Sequence, residues 1–351
     1  MEKQMKVAVM NWVGKLDFES RPVPSIGPDD VLLKVDYVGV CGSDMALFEH
    51  GYIGSSHVTE PIVLGHEVSG TVVKTGANVH NVKIGDRVSA EPGISCMRCC
   101  LCKSGKYNLC NNVKFWASLP IVEGAFQEYV KHPAELCFIL PPNVSSLEGA
   151  LIEPLAVGMH ALFQSGASLG SIAVILGAGC IGLLTLLSLK AAGVKDIYVV
   201  DLMNNRLDMA AEFGANVFNP NEDPNFIDTI RQKTNNGAEF VFETAGNANT
   251  IAQTINLVRK GGTITLVGYT QSGKAEIDVN KLIDNEISIK TVFRYRNIFP
   301  KAISAVASGA ISPMKIASHI FPFSEIQKGM DYAIHNKHEV VKSVISFNEE
   351  E

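Results

Sequence analysis

SIAVILGAGCIGLLTLL, residues 171–187, is a short β-branched apolar run, three glycines spaced G-x-G-x-x-G, and a second apolar run without charge. The order predicts strand, tight turn and helix. Gly177 lets the chain turn, Gly179 lets the backbone approach a pyrophosphate, and Gly182 lets the helix pack against the strand. The first N–H groups of that helix and its positive dipole end then face the phosphates. A glycine pattern by itself is weak evidence, but DIYVVD follows, and its terminal Asp201 lies nineteen residues after Gly182. A carboxylate there accepts ribose hydroxyls and repels a 2′-phosphate, which predicts NAD as cofactor. Arg206, on the next predicted helix, is the one nearby cation that could bind such a phosphate.

The same stretch raises one alternative. Residues 172–189 are eighteen positions without a charge, long enough for a membrane span. Three glycines in the first half and the strand-like start argue instead for a buried strand followed by a buried helix.

Outward from this point the rhythm is βαβ. Helix 179–192, DIYVVD, helices 204–213 and 225–235, EFVFET, helix 248–259 and TITLVG alternate, which predicts a doubly wound parallel sheet. SSLEGALIEPLAVGMHALFQSG precedes it and reads as helix apart from its proline. From residue 1 to about 145 the pattern is different: DDVLLKVDYVGV, SGTVVKTG and GAFQEYVKHP are short strands bounded by turn residues. After about 290 come two more helical patterns and the strand VVKSVISF. The expected division is a β-rich domain over 1–150, a dinucleotide-binding domain over 151–289, and a return to the first over 290–351.

The chain has 351 residues, a net charge of -6 and 46% hydrophobic residues. No basic run is present, which argues against nucleic acid and anionic membrane as partners. MEKQMKVAVMNW lacks the apolar core and cleavage site of a signal peptide. The expectation is a cytoplasmic protein, in which disulfides rarely persist.

That matters for SCMRCCLCKSGKYNLC, 95–110, which holds five of the eight cysteines. Cys96, Cys99, Cys102 and Cys110 are spaced C-x2-C-x2-C-x7-C, a pattern suited to a closed tetrahedral zinc. Cys100 leaves a second register open, and an iron–sulfur cluster is a less natural occupant of a β-rich region. A sparser set is Cys41, His66, Glu67 and Glu153. Taken singly, each has an ordinary structural explanation. Together they are one thiolate, one imidazole and two carboxylates, the donors of a zinc site that keeps a position open for substrate.

GVCGSD, LGHEVSGTVVKTG, GDRVSAEPG, the four-cysteine loop, LIEPLAVG, GAGCIG and VFRYRN, in this order, resemble the zinc-dependent medium-chain dehydrogenases. The likeness is greatest to their polyol branch, the sorbitol and xylitol dehydrogenases, and it covers nearly the whole chain. It implies a GroES-like catalytic domain with an inserted Rossmann domain, and a homotetramer or homodimer. It assigns Cys41, His66 and Glu67 to a catalytic zinc, with Glu153 binding the metal directly or through its water. The polyol branch carries Glu at this last position where classical alcohol dehydrogenases carry Cys. The implied reaction oxidises a secondary hydroxyl of a polyol to a ketone, with hydride passing to NAD. Ser43 is placed to take the alcohol proton. Many relatives have a histidine five residues after the zinc cysteine to complete that relay; here Ala46 stands there, and the alternatives are that His50 substitutes or that the proton leaves through water. The cofactor set extends to Ile181, Val267, Phe293 and Arg294, and the substrate set to Tyr52, Arg294 and Tyr295. VFRYRN read without the resemblance is a strand with one buried face, and for Arg296 that is the expectation kept.

Threonine, butanediol and phospho-polyol dehydrogenases share this chemistry and remain alternatives within the class. A zinc-free quinone-reductase-like protein or a non-catalytic NAD-binding protein would lack Cys41, His66 and Glu67. A zinc-ribbon interaction module would need the basic or aromatic patches that this chain does not have.

Overall fold

The computed structural model describes residues 3–54, 56–270 and 272–348. The chain divides into two compact units, one of 1–153, 299–309 and 313–351, the other of 154–298 and 310–312.

In the first unit, strands Gln4–Trp12 and Lys15–Pro22 form an antiparallel hairpin. A seven-stranded sheet follows the order Cys137–Ile139, Arg87–Ala90, Glu67–Thr75, Asp30–Gly39, Lys342–Ser346, Ala317–Pro322, and Tyr129–Pro133 pairs with Asp30–Gly39 off that path. Asp30–Gly39 is central because its sequence, DVLLKVDYVG, is mostly apolar and is buried on both faces apart from exposed Lys34 and half-buried Asp30 and Tyr37, as expected for an interior strand. Val7, Val9, Leu33, Val38, Leu47, Ile62, Leu64 and Phe126 belong to the core beside it.

In the second unit, six strands pair in parallel in the order Asn216–Phe218, Asp196–Val200, Ile172–Leu176, Ala238–Glu243, Val258–Leu266, Ser288–Thr291. The first strand in sequence lies in the middle and the order reverses beside it. That is the doubly wound arrangement, whose ligands bind beyond the carboxyl ends of the strands at the reversal. The segment that could have spanned a membrane is strand Ile172–Leu176 followed by helix Cys180–Ala191. No helix among the described residues is long and apolar enough to cross a membrane.

Three details differ from the sequence expectation. Pro154 lies inside one continuous helix, Ser146–Ser165. Its start is fixed by a capping box, in which the Glu148 carboxylate accepts from the Ser145 N–H (2.9 Å) and hydroxyl (2.8 Å), and the Glu148 N–H donates to Ser145 Oγ (3.2 Å). The helix expected over 248–259 ends at Leu257, because Val258 is already extended (φ -80°, ψ 140°) and pairs with Ala238. Residues 292–298 are not a strand: Arg294 and Asn297 have φ of 54° and 56°, a left-handed conformation that no extended ladder accommodates.

Candidate functional site

Helix Gly42–His50 begins with Cys41 as its N-cap and Asp44 at the third helical position. Asp44 Oδ2 accepts from the Cys41 N–H at 3.0 Å, Oδ1 accepts from the Gly65 N–H at 3.0 Å, and Oδ1 lies 3.6 Å from His66 Nδ1. One buried carboxylate therefore fixes the cysteine-bearing helix start and the loop before His66, and lies beside the imidazole. This is the carboxylate–histidine arrangement that orients metal ligands. The sequence reading missed Asp44, although a capping residue three positions after Cys41 was a usable signal.

Burial, the largest influence on both groups, would drive each toward its neutral form. The His66 charge and hydrogen bonds nevertheless hold the Asp44 carboxyl below its ordinary range, and the Asp44 and Cys41 charges raise His66 well above its own. The same negative surroundings would favour a divalent cation held by a neutral His66, which takes the place of that proton.

Cys41, His66 and Glu67 come together, with one ligand atom of each within 4.8 Å of the others. Glu67 starts strand Glu67–Thr75 opposite Gly39, which in turn pairs with Val344. A Cβ on Gly39 would lie 1.9 Å from Glu67 Oε2 and 3.1 Å from Lys342 Cε. Only glycine lets the carboxylate pass over the central strand and pair with the Lys342 ammonium. Lys342 also donates to the Val40 carbonyl at 3.0 Å, next to Cys41. Glu67 is 1% and Lys342 4% exposed, so the pair is shielded from water. Sequence reasoning missed Lys342, which lies 275 positions from Glu67.

Glu153 is buried in the same unit but is not a member of that three-residue cluster. It acts on a second buried carboxyl, Glu91. Burial first, and the Glu153 charge with it, raise Glu91 to about 7 against the opposing hydrogen bond from Tyr107 (2.8 Å). Ser43 is half-buried on the first turn of the Cys41 helix. His50 lies seven residues further, about 10 Å along the axis, where it faces Glu49 at 3.6 Å and the Tyr52 ring at 5.9 Å. A direct Ser43–His50 hydrogen bond is therefore ruled out. Tyr52 itself sits between the rings of His50 and His57.

The four thiols of Cys96, Cys99, Cys102 and Cys110 also converge within 4.8 Å. The Cys99–Cys102, Cys99–Cys110 and Cys96–Cys102 sulfur separations are 3.5, 3.9 and 4.0 Å. Zn–S bonds of about 2.3 Å give a tetrahedron edge of about 3.8 Å, so the quartet fits zinc. None of the eight cysteines is in a disulfide, and Cys100 is exposed and outside the quartet, which selects between the two registers. Backbone N–H groups of Arg98 and Cys99 bring Cys96 down to about 6, whereas burial and the neighbouring thiols push Cys102 up to about 11. Four thiolates repel one another, and a divalent cation is what lets all of them ionise.

In the second unit, Gly177 has φ 101°, and a Cβ on Gly182 would lie 1.9 Å from the Gly177 oxygen. The fingerprint glycines are thus required by contact. The following helix starts at Gly179 without a side-chain cap, which leaves its first N–H groups for a phosphate. Asp201 Oδ2 accepts from the Ala178 N–H at 2.6 Å and Oδ1 from the Met203 N–H at 2.9 Å. Arg206 reaches the same loop, its Nη1 4.0 Å from where a Gly179 Cβ would be. Ile181 and Val267 are half-buried. Tyr295 is 3% exposed, and the Arg294 guanidinium lies over the exposed Phe293 ring at 4.7 Å from its centroid. Arg296 is half-buried and its charge, after burial itself, contributes to lowering His160 to about 4.

Two family models match the chain: the alcohol dehydrogenase GroES-like domain over 27–142 and zinc-binding dehydrogenase over 180–308. Sorbitol dehydrogenase of Bacillus subtilis is 38% identical over 98% of this chain and 97% of its own. A crystal structure of an Escherichia coli oxidoreductase/dehydrogenase of unknown specificity superposes with a TM-score of 0.94 at 40% identity, covering 99% of this chain and 100% of the other. A zinc-binding dehydrogenase of Sinorhizobium meliloti bound to NADP gives 0.89 at 30% identity over 98% and 100%. With these likenesses the thiol quartet is a structural zinc site, and Cys41, His66 and Glu67 are the candidate catalytic one.

Proposed function

Because the chain belongs to the zinc-containing medium-chain alcohol dehydrogenase family, we propose that it oxidises a secondary hydroxyl of an unphosphorylated polyol to a ketose, with NAD as hydride acceptor. The observation that carries the proposal is the convergence of a thiol, an imidazole and a carboxylate at Cys41, His66 and Glu67 within 4.8 Å. A zinc ion held there supplies Lewis acidity toward the hydroxyl oxygen.

The residues around it have separate tasks. Asp44 orients His66. Lys342 lies against both oxygens of the Glu67 carboxylate and balances its charge. Glu153 stands ready for the metal or for a neighbouring hydroxyl, and its charge helps raise Glu91. Ser43 accepts the hydroxyl proton, and with Ala46 in place of a relay histidine that proton leaves by way of solvent. Tyr52, Arg294 and Tyr295 are assigned to the substrate on the family likeness alone. Fixed donors of that kind suit a ligand with several hydroxyls, and they lose their partners when those hydroxyls are missing.

NAD is preferred because Asp201 offers a carboxylate to ribose hydroxyls. Arg206 beside Gly179 supports a second cofactor reading, NADP, since a guanidinium can pair with a 2′-phosphate. The protein is proposed to work in the cytoplasm as a homotetramer or homodimer.

The test is a comparison of kcat/KM, with NAD, for sorbitol and xylitol, their phosphates, 2,3-butanediol, threonine and 2-propanol. The free polyols should lead. Higher efficiency on a phosphate ester would replace the polyol by its phosphate and bring Arg296 into the site. Higher efficiency on 2-propanol would end the polyol assignment.

A further inference from the structure

Glu243 is the last residue of strand Ala238–Glu243 and is fully buried. A carboxylate at the carboxyl end of a parallel strand, beside the point where the strand order reverses, stands where doubly wound sheets bind their ligands. Its surroundings are unusually convergent. Oε1 accepts three hydrogen bonds from the next turn: the Ala245 N–H (3.0 Å), the Gly246 N–H (2.9 Å) and the Thr250 hydroxyl (2.7 Å). Its backbone carbonyl accepts from the N–H groups of Val267 (2.8 Å) and Gly268 (3.1 Å), in the loop after the neighbouring strand.

The turn held by Oε1 is clamped onto the glycine fingerprint. The Thr244 hydroxyl donates to the Gly177 carbonyl at 2.8 Å, and a Cβ on Gly177 would lie 2.8 Å from the Ala245 nitrogen. The turn also abuts the second loop: a Cβ on Gly246 would lie 2.3 Å from the Tyr269 carbonyl oxygen, and one on Gly268 would lie 2.3 Å from the Gly246 nitrogen. The Glu243 side chain thus holds the turn that packs on the fingerprint and on the 267–269 loop, and its backbone carbonyl ties that second loop to the same strand end.

Oε2 completes the picture. It is buried and makes no hydrogen bond within the protein, although a buried carboxylate oxygen carries a large penalty when it lacks a donor. Burial accordingly shifts the carboxyl upward from its ordinary range, against the three hydrogen bonds at Oε1.

We propose that Glu243 is a positioning residue for the dinucleotide cofactor: it sets the 244–250 turn against the fingerprint, so the three loops meet the cofactor in one fixed arrangement. The proposal rests on the NAD(P) dependence of the family and not on the identity of the alcohol, so its test uses NADH alone.

NADH is titrated into zinc-loaded holoenzyme and the Kd is read from its fluorescence, for wild type, Glu243→Ala, Glu243→Gln and Thr250→Val. Glu243→Ala should raise the Kd at least tenfold while the chain keeps its full zinc content. Glu243→Gln, which retains an acceptor oxygen for the turn, should restore the Kd to within about threefold of wild type. Thr250→Val removes one of the three bonds at a half-exposed position and should raise the Kd severalfold with little change in thermal midpoint. It decides the matter if Glu243→Ala does not fold. A Kd unchanged in Thr250→Val, or a Glu243→Gln as weak as Glu243→Ala, overturns the proposal and leaves Glu243 a purely structural group.

Discussion

Lys342→Met removes the cation from a pair in which Glu67 is 1% and Lys342 4% exposed. The isosteric apolar chain fills the space, so the cost is electrostatic. Removing one member of a buried pair leaves the other charge without compensation, at about 3–5 kcal/mol. The lost bond to the Val40 carbonyl, 3.0 Å long, falls within that figure and not on top of it. Glu67→Gln should cost a similar amount, because it strands the ammonium instead. Lys342→Met combined with Glu67→Gln should cost clearly less than the sum, since the stranded charge is then absent. The assay is equilibrium denaturation of the zinc-loaded protein for all four members of the cycle, with zinc counted in each because Glu67 is a metal-ligand candidate. Gly39→Ala gives an independent check: its Cβ would lie 1.9 Å from Glu67 Oε2, so it should disrupt the pair without touching either charge. Strictly additive single costs, or a Lys342→Met penalty under about 1 kcal/mol, the range of a surface pair, would refute the reasoning.

Three further outcomes are expected. Cys96→Ser should release the loop zinc and lower stability, whereas Cys100→Ser, an exposed thiol outside the quartet, should change stability by no more than about 0.5 kcal/mol; equal effects would mean a different ligand register. His132 is held neutral in the fold, its pKa lowered from 6.5 to about 4 by burial against the opposing influence of the Glu91 carbonyl and Asp30. The unfolded chain takes up that proton below about 6.5 and the folded chain does not, so stability is full above 6.5 and is lost as pH falls toward 4. The loss should be about 2 kcal/mol at pH 5. Denaturation followed by fluorescence of Trp116, whose ring lies 4.3 Å from that of His132, reads this, and His132→Gln should flatten the slope. NAD should be preferred over NADP at least about tenfold, or about 1.4 kcal/mol, and Asp201→Ala should narrow the ratio, mainly by weakening NAD; equal kcat/KM for both cofactors in wild type would show that Arg206 outweighs Asp201.

The parts of this molecule legible in its sequence are those in which cause and consequence lie close together in the chain. The fingerprint at 177–182 and Asp201 could be read because strand, turn and helix follow one another directly, and the thiol loop because its ligands recur every few residues. Cys41, His66, Glu67 and Glu153 were grouped by donor type and assigned to a catalytic zinc by family resemblance, since nothing local says that residues on a helix start and a strand start converge. The charges that tune them were not legible. Lys342 reaches Glu67 across a central strand, through a gap that depends on one glycine, and Glu91 meets Glu153 only in the folded β-rich unit. Asp44 was an exception, because its capping position was visible and its importance was not. At VFRYRN, apolar and polar residues alternate as in a strand, but Arg294 and Asn297 adopt left-handed conformations that composition does not announce for residues other than glycine.

The most direct test of two chemically distinct metal sites is zinc per chain, measured by elemental analysis beside NAD-dependent turnover, in wild type and Cys41→Ser. Wild type should hold two zinc ions per chain, one for each converging cluster. Cys41→Ser should hold one, bind NADH normally, remain folded and lack turnover. One zinc or none in carefully prepared wild type, or turnover surviving in Cys41→Ser, would contradict the account.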